Sequence, residues 1–197
     1  MSPAPESLGF ADSVEKAMTL MAEAFDRHHV PHALIGGMAI AYRANPRATV
    51  DIDLIVAADA LTIGIVVAEL VASGFRPDVR QILQDWSQDQ LAVLWFGPVR
   101  IDWLKPALPV YQHVVDSAEP LLAFGKPLSV ASVEGLILCK LLADRAQDQA
   151  DIIALVRTHP GEIDMESIER EWAAIGEPDA RQLLALRALI DNPELAR

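Results

Sequence analysis

The sequence predicts an α+β fold, in which a small mixed β-sheet is flanked by helices and followed by a helical C-terminal part. Two patterns indicate this class. Short apolar runs bounded by glycine, proline or asparagine, which are typical of strands, occur in the first half of the chain. Apolar residues at helical spacing dominate after Pro106. We therefore divide the 197 residues into a core over residues 1–106 and a helical region over residues 107–197 that closes a cleft.

Helices and strands are both expected before Pro106. They are, in order, a helix over residues 12–28, a strand over 33–35, a helix over 38–42, a strand over 49–56, a helix over 58–73 and an antiparallel hairpin over 91–96 and 99–104. Asp12 and Glu15 have the spacing of a capping box at the start of the first helix. Residues 76–90 are polar and are left unassigned.

Only helices are expected after Pro106. Serine is a favoured N-cap, so Ser129 or Ser132 is expected to open a helix that runs to about Val156. One or two further helices are expected over residues 164–191.

The composition excludes several classes of function. The formal net charge is -12, whereas binding to duplex DNA needs Lys and Arg to replace phosphate counterions, so no duplex partner is expected. The longest apolar run, residues 61–68, is far shorter than the ~20 residues of a membrane helix. A single cysteine, Cys139, and an N-terminal segment without the pattern of a secretory signal predict a cytoplasmic protein.

Two carboxylates interrupt an apolar strand. Asp51 and Asp53 lie in the run 49–56, which is otherwise rich in valine, isoleucine and leucine. Alternation along a strand directs both side chains to one face. Ionised aspartate is rarely buried without a compensating cation, and residues two apart on a strand can converge on two metal ions about 3.5–4 Å apart. The pair therefore predicts a divalent metal site.

A third carboxylate is available on the predicted hairpin. Asp102 interrupts the second hairpin strand and shares a face with Arg100 and Leu104. A site of hard oxygen ligands with no histidine nearby favours Mg²⁺ or Mn²⁺ over zinc. Asp51, Asp53 and Asp102 are therefore the predicted metal ligands and catalytic residues, with Asp102 as the group that activates a hydroxyl. A purely structural role for the three is the alternative.

The residues before the acidic strand suit an anion. Glycines at a strand-to-helix turn, such as Gly36 and Gly37, allow backbone N–H groups to approach phosphate oxygens, although a glycine turn without a ligand explains the pair alone equally well. Arg47 and Thr49 are expected on the Asp51 face, where Arg47 binds phosphate or neutralises the carboxylates. A solvated loop arginine is the alternative.

Together these residues resemble the nucleotidyltransferase superfamily related to DNA polymerase beta, whose pattern is Gly-Gly or Gly-Ser, a helix, Asp-x-Asp on a strand and a distant third Asp. Within it, they are most similar to the bacterial AbiEii-type nucleotidyltransferases, which include toxins of toxin-antitoxin systems. The resemblance implies a nucleotidyltransferase core over residues 1–106, with nucleoside triphosphate as substrate and a cognate antitoxin as a partner. Some toxins of this type act on the 3′ end of transfer RNA. The residues that carry this likeness are Gly36, Gly37, Arg47, Thr49, Asp51, Asp53, Lys140, Asp148 and Asp151.

Lys140 lies on the apolar side of its predicted helix, where a lysine needs partners. One interpretation is an i, i+4 pair with Asp144. The other, which the resemblance implies, is that Lys140 contacts nucleotide phosphate. Asp148 and Asp151 are also assigned to the nucleotide side of the cleft, where they bind the nucleotide or orient Lys140, Arg145 or Arg47.

The first functional hypothesis is therefore a metal-dependent nucleotidyltransferase that transfers a nucleoside monophosphate to a hydroxyl. The acceptor is left open between transfer RNA, a protein and a small molecule such as an aminoglycoside. Many superfamily members have serine where this chain has Gly37, which motivates the alternative of a catalytically inactive nucleotide sensor or regulator. A protein-interaction module, suggested by the acidic composition and the C-terminal helices, is a third hypothesis.

Overall fold

A mixed sheet of six strands forms the centre of the molecule. The computed structural model of the chain describes residues 8–44, 49–88, 91–123, 126–178 and 180–192. The strands are β1 (His32–Ile35), β2 (Asp51–Val56), β3 (Ala92–Phe96), β4 (Val99–Leu104), β5 (Glu119–Ala123) and β6 (Lys126–Val130). Their order across the sheet is β3-β4-β2-β1-β6-β5, which places β2 and β1 in the middle.

The central strands fix the register of the acidic residues. β2 runs antiparallel to β1, with Asp53 opposite Ile35, and parallel to β4, with Asp53 opposite Asp102. β1 runs parallel to β6, where Leu34 pairs with Val130. Two antiparallel hairpins, β3-β4 and β5-β6, therefore form the two edges of the sheet.

Helices surround this sheet. Those in the described residues are α1 (Phe10–Arg27), α2 (Gly36–Arg43), α3 (Ala60–Ala72), α4 (Val79–Ser87), α5 (Pro109–Asp116), α6 (Val133–Ala143), α7 (Ala146–Thr158), α8 (Met165–Trp172) and α9 (Arg181–Asp191). Side chains that accept a hydrogen bond from the first turn cap four of them, and these N-caps are Asp59, Asp78, Ser132 and Asp164. The mixed sheet and the helices around it confirm the predicted α+β fold.

The two faces of the sheet have different chemistry. Trp103 on β4 is fully buried, and its ring lies 5.4 Å from that of Phe25 on α1. Because successive residues of a strand point to opposite faces, Trp103 and Asp102 lie on opposite sides of the sheet. Helix α1 therefore covers the apolar face, and the acidic residues belong to the other face, near α5 and α6.

The helical region after Pro106 was predicted wrongly in one respect. Residues 119–130 hold β5 and β6, and β6 joins the central sheet beside β1. Prolines at 120 and 127 and a short alternation, in which Leu128 and Val130 are buried, gave too weak a strand signal. The division of the chain at residue 106 stays a prediction.

Two further predictions about helices were wrong. The single helix expected from Ser132 to Val156 is two helices, because Asp144 adopts a left-handed conformation with φ 43° and ends α6. The capping box of Asp12 and Glu15 is not formed, since α1 begins at Phe10 with Gly9 as a cap that has no side-chain hydrogen bond. The unassigned stretch 76–90 contains α4, which buries Ile82 and Trp86. Among the described residues, we find no helix with the length and apolar character needed to cross a membrane.

Candidate active site

The three predicted carboxylates meet on one face of the sheet. Asp51 and Asp53 are two residues apart on β2, and Asp102 pairs with Asp53 across the parallel strands. All three line a cavity of about 450 Å³, called the acidic cavity below. Five other predicted residues also line the cavity, namely Gly36, Gly37, Thr49, Lys140 and Asp148. Asp151 is buried behind them and contacts Lys140.

Burial and neighbouring negative charge destabilise the charged forms of two of these carboxylates, Asp53 and Asp102. Burial raises the pKa of Asp53, and the negative charges of Asp102 and Asp51 raise it further. Burial also raises the pKa of Asp102, although a hydrogen bond from Arg100 opposes the effect. Carboxylates whose charged forms are destabilised in this way, as those of Asp53 and Asp102 are, suit a divalent cation, whose hard oxygen ligands they would supply together with Asp51.

Arg100 forms an ion pair with one of these carboxylates, that of Asp102. Its Nε donates to Oδ1 of Asp102 at 2.8 Å, and its side chain is 40% exposed. With the side chains in this arrangement, the described part of the chain contains no group of three or more His, Cys, Asp or Glu residues that encloses a metal position. The sequence places Arg100 and Asp102 on one face but did not reveal this ion pair.

Gly36 and Gly37 form the floor of the acidic cavity beside Asp53. Gly36 is the first residue of α2 and has a positive φ of 67°, which glycine adopts without strain. The N-cap, Ile35, offers no side-chain acceptor, and the first turn contains no acidic residue. The first N–H groups of a helix lack partners within the helix, so this end of α2 can donate to an anion in the cavity.

Lys140 is held by two buried carboxylates rather than by Asp144. Its Nζ lies 2.9 Å from Oδ1 of Asp148 and 2.7 Å from Oδ2 of Asp151, and the lysine side chain is 6% exposed. The interpretation as a pair with Asp144 is therefore wrong, since Asp144 accepts from Arg181 instead. Contact between Lys140 and a nucleotide stays a prediction.

Asp148 joins this lysine to Arg145, which is one of the residues that Asp148 was expected to orient. Burial raises the pKa of Asp148, but hydrogen bonds from Arg145 and Lys140 outweigh burial and lower the pKa to about 2. Arg145 lies at the start of α7 and also lines the acidic cavity, as does Gln147. The sequence predicted Arg145 as a residue that Asp148 or Asp151 orients, but not as part of the cavity lining, because a continuous helix was expected there.

The remaining predicted residues contribute at the rim. The hydroxyl of Thr49 donates to the backbone oxygen of Asp51 at 3.4 Å, so it borders the carboxylates without reaching across the cavity. Arg47 lies outside the described residues, and its assignment stays a prediction. Leu104, Tyr111 and Cys139 give the cavity an apolar wall.

A second cavity shares Lys140 with the first. It has a volume of about 260 Å³, lies between α6, α7 and α9, and is lined mainly by apolar side chains such as Leu141 and Ile152. None of the three strand carboxylates lines it. The acidic cavity is therefore the better candidate for chemistry, because it combines carboxylates, cationic side chains and the first backbone N–H groups of α2.

Comparison with known proteins is informative at the level of the fold. No family model and no curated protein matches the sequence. Among solved structures, the chain is similar to an antigenic nucleotidyltransferase-like protein from Paracoccidioides brasiliensis, with 17% sequence identity, a TM-score of 0.54, and coverage of 94% of this chain and 91% of that one.

Two other solved structures are similar over most of their length. One is ANT(2″)-Ia in complex with adenylyl-2″-tobramycin, with 18% identity, a TM-score of 0.49, and coverage of 92% of this chain and 98% of that one. The other is JHP933 from Helicobacter pylori, with 14% identity, a TM-score of 0.49, and coverage of 93% and 82%. On the strength of the similarity to the protein from P. brasiliensis, the chain has the fold of a nucleotidyltransferase-like protein.

Proposed function

We propose that the protein is a metal-dependent nucleotidyltransferase, which moves a nucleoside monophosphate from a nucleoside triphosphate to a hydroxyl group of an acceptor. The observation that carries this proposal is the meeting of three strand carboxylates with the uncapped start of α2 in one cavity. The fold shared with the nucleotidyltransferase-like protein from P. brasiliensis supports it.

The carboxylates would supply the metal site. Asp51 and Asp53 would hold two Mg²⁺ or Mn²⁺ ions, and Asp102 would hold one of them, because hard oxygen ligands suit both cations. When bound, such ions neutralise phosphate charge and lower the pKa of an attacking hydroxyl.

The protein's own groups position the substrates and move the proton. Backbone N–H groups of Gly36 and Gly37 donate to phosphate oxygens at the start of α2. Asp102 accepts the proton of the acceptor hydroxyl as its oxygen attacks the α-phosphorus. The bond from that phosphorus to the bridging oxygen breaks, and pyrophosphate leaves with the electron pair. Lys140, Asp148 and Asp151 support the nucleotide side of the cavity.

A label-transfer assay tests this proposal. The purified protein is incubated with Mg²⁺ and each α-labelled nucleoside triphosphate, together with total transfer RNA, a panel of aminoglycosides, or no added acceptor. We expect labelled product from the wild-type protein and none from Asp51→Asn or Asp53→Asn. Asp191→Asn, which changes an exposed carboxylate at the end of α9, is the matched control and should keep full activity.

Calorimetry on the same samples separates the alternatives. Tight triphosphate binding with no labelled product would favour the nucleotide sensor over the transferase. Absence of both binding and transfer would contradict any nucleotide-dependent function and favour the protein-interaction module. Full transfer by Asp53→Asn would contradict a catalytic role for the strand carboxylates.

The acceptor and the biological role belong to the same proposal. The net charge of -12 suits a cationic small molecule better than RNA, although one cleft can differ from the whole surface. A toxin role, with an antitoxin partner, predicts that expression of the wild-type chain arrests growth and that Asp53→Asn relieves the arrest. Equal growth of both strains would contradict the toxin role and leave the transferase intact.

A further inference from the structure

The guanidinium of Arg145 is fixed at the edge of the acidic cavity. Its Nε and Nη2 donate to the two oxygens of Asp148 at 2.6 and 3.1 Å, and its backbone N–H donates to Oδ2 at 3.1 Å. Asp148 itself is fully buried. Three hydrogen bonds to one immobile carboxylate therefore set the direction of the arginine side chain.

The other side of the same guanidinium is available. The Arg145 side chain is 73% exposed, and within the described residues its Nη1 donates to no protein acceptor. Arg145 shares the cavity with Gly36, Gly37 and Asp53. The hydrogen bonds and charge of Asp148 raise the pKa of Arg145, and the more distant charge of Asp53 adds to the effect.

Lys140 is less able to meet an anion. Its ammonium is 6% exposed and faces two carboxylates at 2.7 and 2.9 Å. An anion that approached it would have to compete with both, in a site from which water is nearly excluded. Arg145 faces a single carboxylate along one edge, and a planar guanidinium can bind a second anion along the other.

We propose that Arg145 binds the phosphate groups of the nucleoside triphosphate in the acidic cavity. The inference rests on the proposed function, since it names the side chain that recognises the donor. Because Asp148 orients the guanidinium before any ligand arrives, little side-chain entropy is lost when phosphate binds. Arginine is also well suited to phosphate, to which it donates two parallel hydrogen bonds.

Binding measurements test the contact without depending on turnover. The probes are a nucleoside triphosphate with an uncleavable α,β-methylene bridge and inorganic tripolyphosphate, each titrated calorimetrically with Mg²⁺ present. The proteins are the wild type, Arg145→Ala, Arg145→Lys, and Arg157→Ala as a matched control. Arg157 is an exposed arginine at the other end of α7.

The expected pattern is specific to a phosphate contact. Arg145→Ala should weaken both probes at least about tenfold, the scale of a lost hydrogen bond to a charged group. Arg145→Lys should recover part of that loss, and Arg157→Ala should bind as the wild type does. Thermal unfolding of each variant, followed by circular dichroism, shows that binding is compared between folded proteins.

The outcomes distinguish this inference from the proposed function. If the wild type binds both probes and Arg145→Ala binds them equally well, the assignment of Arg145 is wrong while the proposed function stands. If Arg145→Ala weakens only the nucleoside analogue and not tripolyphosphate, Arg145 contacts the base or sugar, and the phosphate assignment is overturned. A wild-type protein that binds neither probe contradicts the proposed function itself.

Discussion

Gly36 lies directly against the carboxylate of Asp53. A β-carbon at position 36 would lie 2.7 Å from Cγ of Asp53 and would overlap its Oδ2. The positive φ of Gly36 adds a second reason for glycine at this position. The close approach sets the distance between the start of α2 and the carboxylates, so a substitution at Gly36 affects both.

Replacing Gly36 should therefore damage both stability and function. Gly36→Ala should lower the free energy of unfolding by more than the 1–2 kcal/mol roughly expected for a left-handed residue alone, because Asp53 must also move. It should lose label transfer. Gly161→Ala is the matched control, since Gly161 has a φ of 74° but no atom within 4 Å of the added carbon. Urea unfolding should show about 1 kcal/mol of loss there with normal transfer, and equal effects of the two substitutions would contradict the steric argument.

Removing Arg100 should make the metal site easier to fill. Arg100 holds Asp102 at 2.8 Å and places a positive charge beside the carboxylates. Arg100→Gln should therefore tighten Mn²⁺ binding, by roughly tenfold if the arginine opposes the ion by about 1.4 kcal/mol. Electron paramagnetic resonance of free Mn²⁺ measures this without any turnover. Arg80→Gln, on an exposed position of α4, is the control, and weaker binding to Arg100→Gln would show that the arginine helps to build the site.

Asp53 should destabilise the metal-free protein at neutral pH. Its pKa is raised in the folded state by burial and by Asp102 and Asp51, so the folded protein holds the proton more tightly than the unfolded chain does. The associated stability is present at low pH and is lost as the pH rises through the folded pKa. Asp53→Asn should therefore melt at a higher temperature than the wild type at pH 7 in EDTA, and the difference should shrink toward pH 4.

Magnesium provides the converse measurement. It should raise the melting temperature of the wild type at pH 7 and leave that of Asp53→Asn nearly unchanged, since the variant lacks a ligand and the repulsion that the ion relieves. A wild type more stable than Asp53→Asn in EDTA at pH 7 would contradict the proposed repulsion.

Lys140 should be important for stability regardless of its role in binding. Lys140→Met leaves Asp148 and Asp151 buried without their shared cation. Breaking a buried pair in this way lowers the free energy of unfolding by about 3–5 kcal/mol. Lys126→Met removes the exposed partner of Glu23 and should lower it by less than about 1 kcal/mol. Urea titration of both variants checks the contrast, and similar values for the two would mean that the buried network contributes no more than a surface pair.

The acidic face could be predicted because it depends on local geometry. The two-residue spacing of Asp51 and Asp53 fixes their common face whatever the strand pairs with. The turn at Gly97-Pro98 fixes the hairpin that carries Asp102. Local geometry does not determine that β4 lies beside β2. The expectation that the three carboxylates form one site suggested this pairing.

The arrangement of Lys140 and Arg145 around Asp148 could not be predicted in the same way, because it depends on the backbone conformation of Asp144. In a continuous helix, Lys140 and Asp148 would lie about 12 Å apart along the axis. The left-handed Asp144 ends α6 and allows α7 to turn back, so that Lys140 reaches Asp148 at 2.9 Å. Left-handed aspartate is uncommon, and nothing in the surrounding apolar spacing indicated it. The β5-β6 hairpin was missed for a different reason, since Pro120, Pro127 and a short alternation give only a weak strand signal.

The pairing of β1 with β6 determines when the sheet can be completed. Leu34 on β1 pairs with Val130 on β6, which lies about 100 residues later in the chain. Long-range pairing of this kind slows folding. During synthesis β1 has an open edge until β6 has left the ribosome, and open edges recruit other chains. Lys140 and Arg145 emerge later still. The cleft is thus among the last parts to form, and a nascent chain stalled before residue 126 presents an unfinished sheet to chaperones rather than a smaller folded protein.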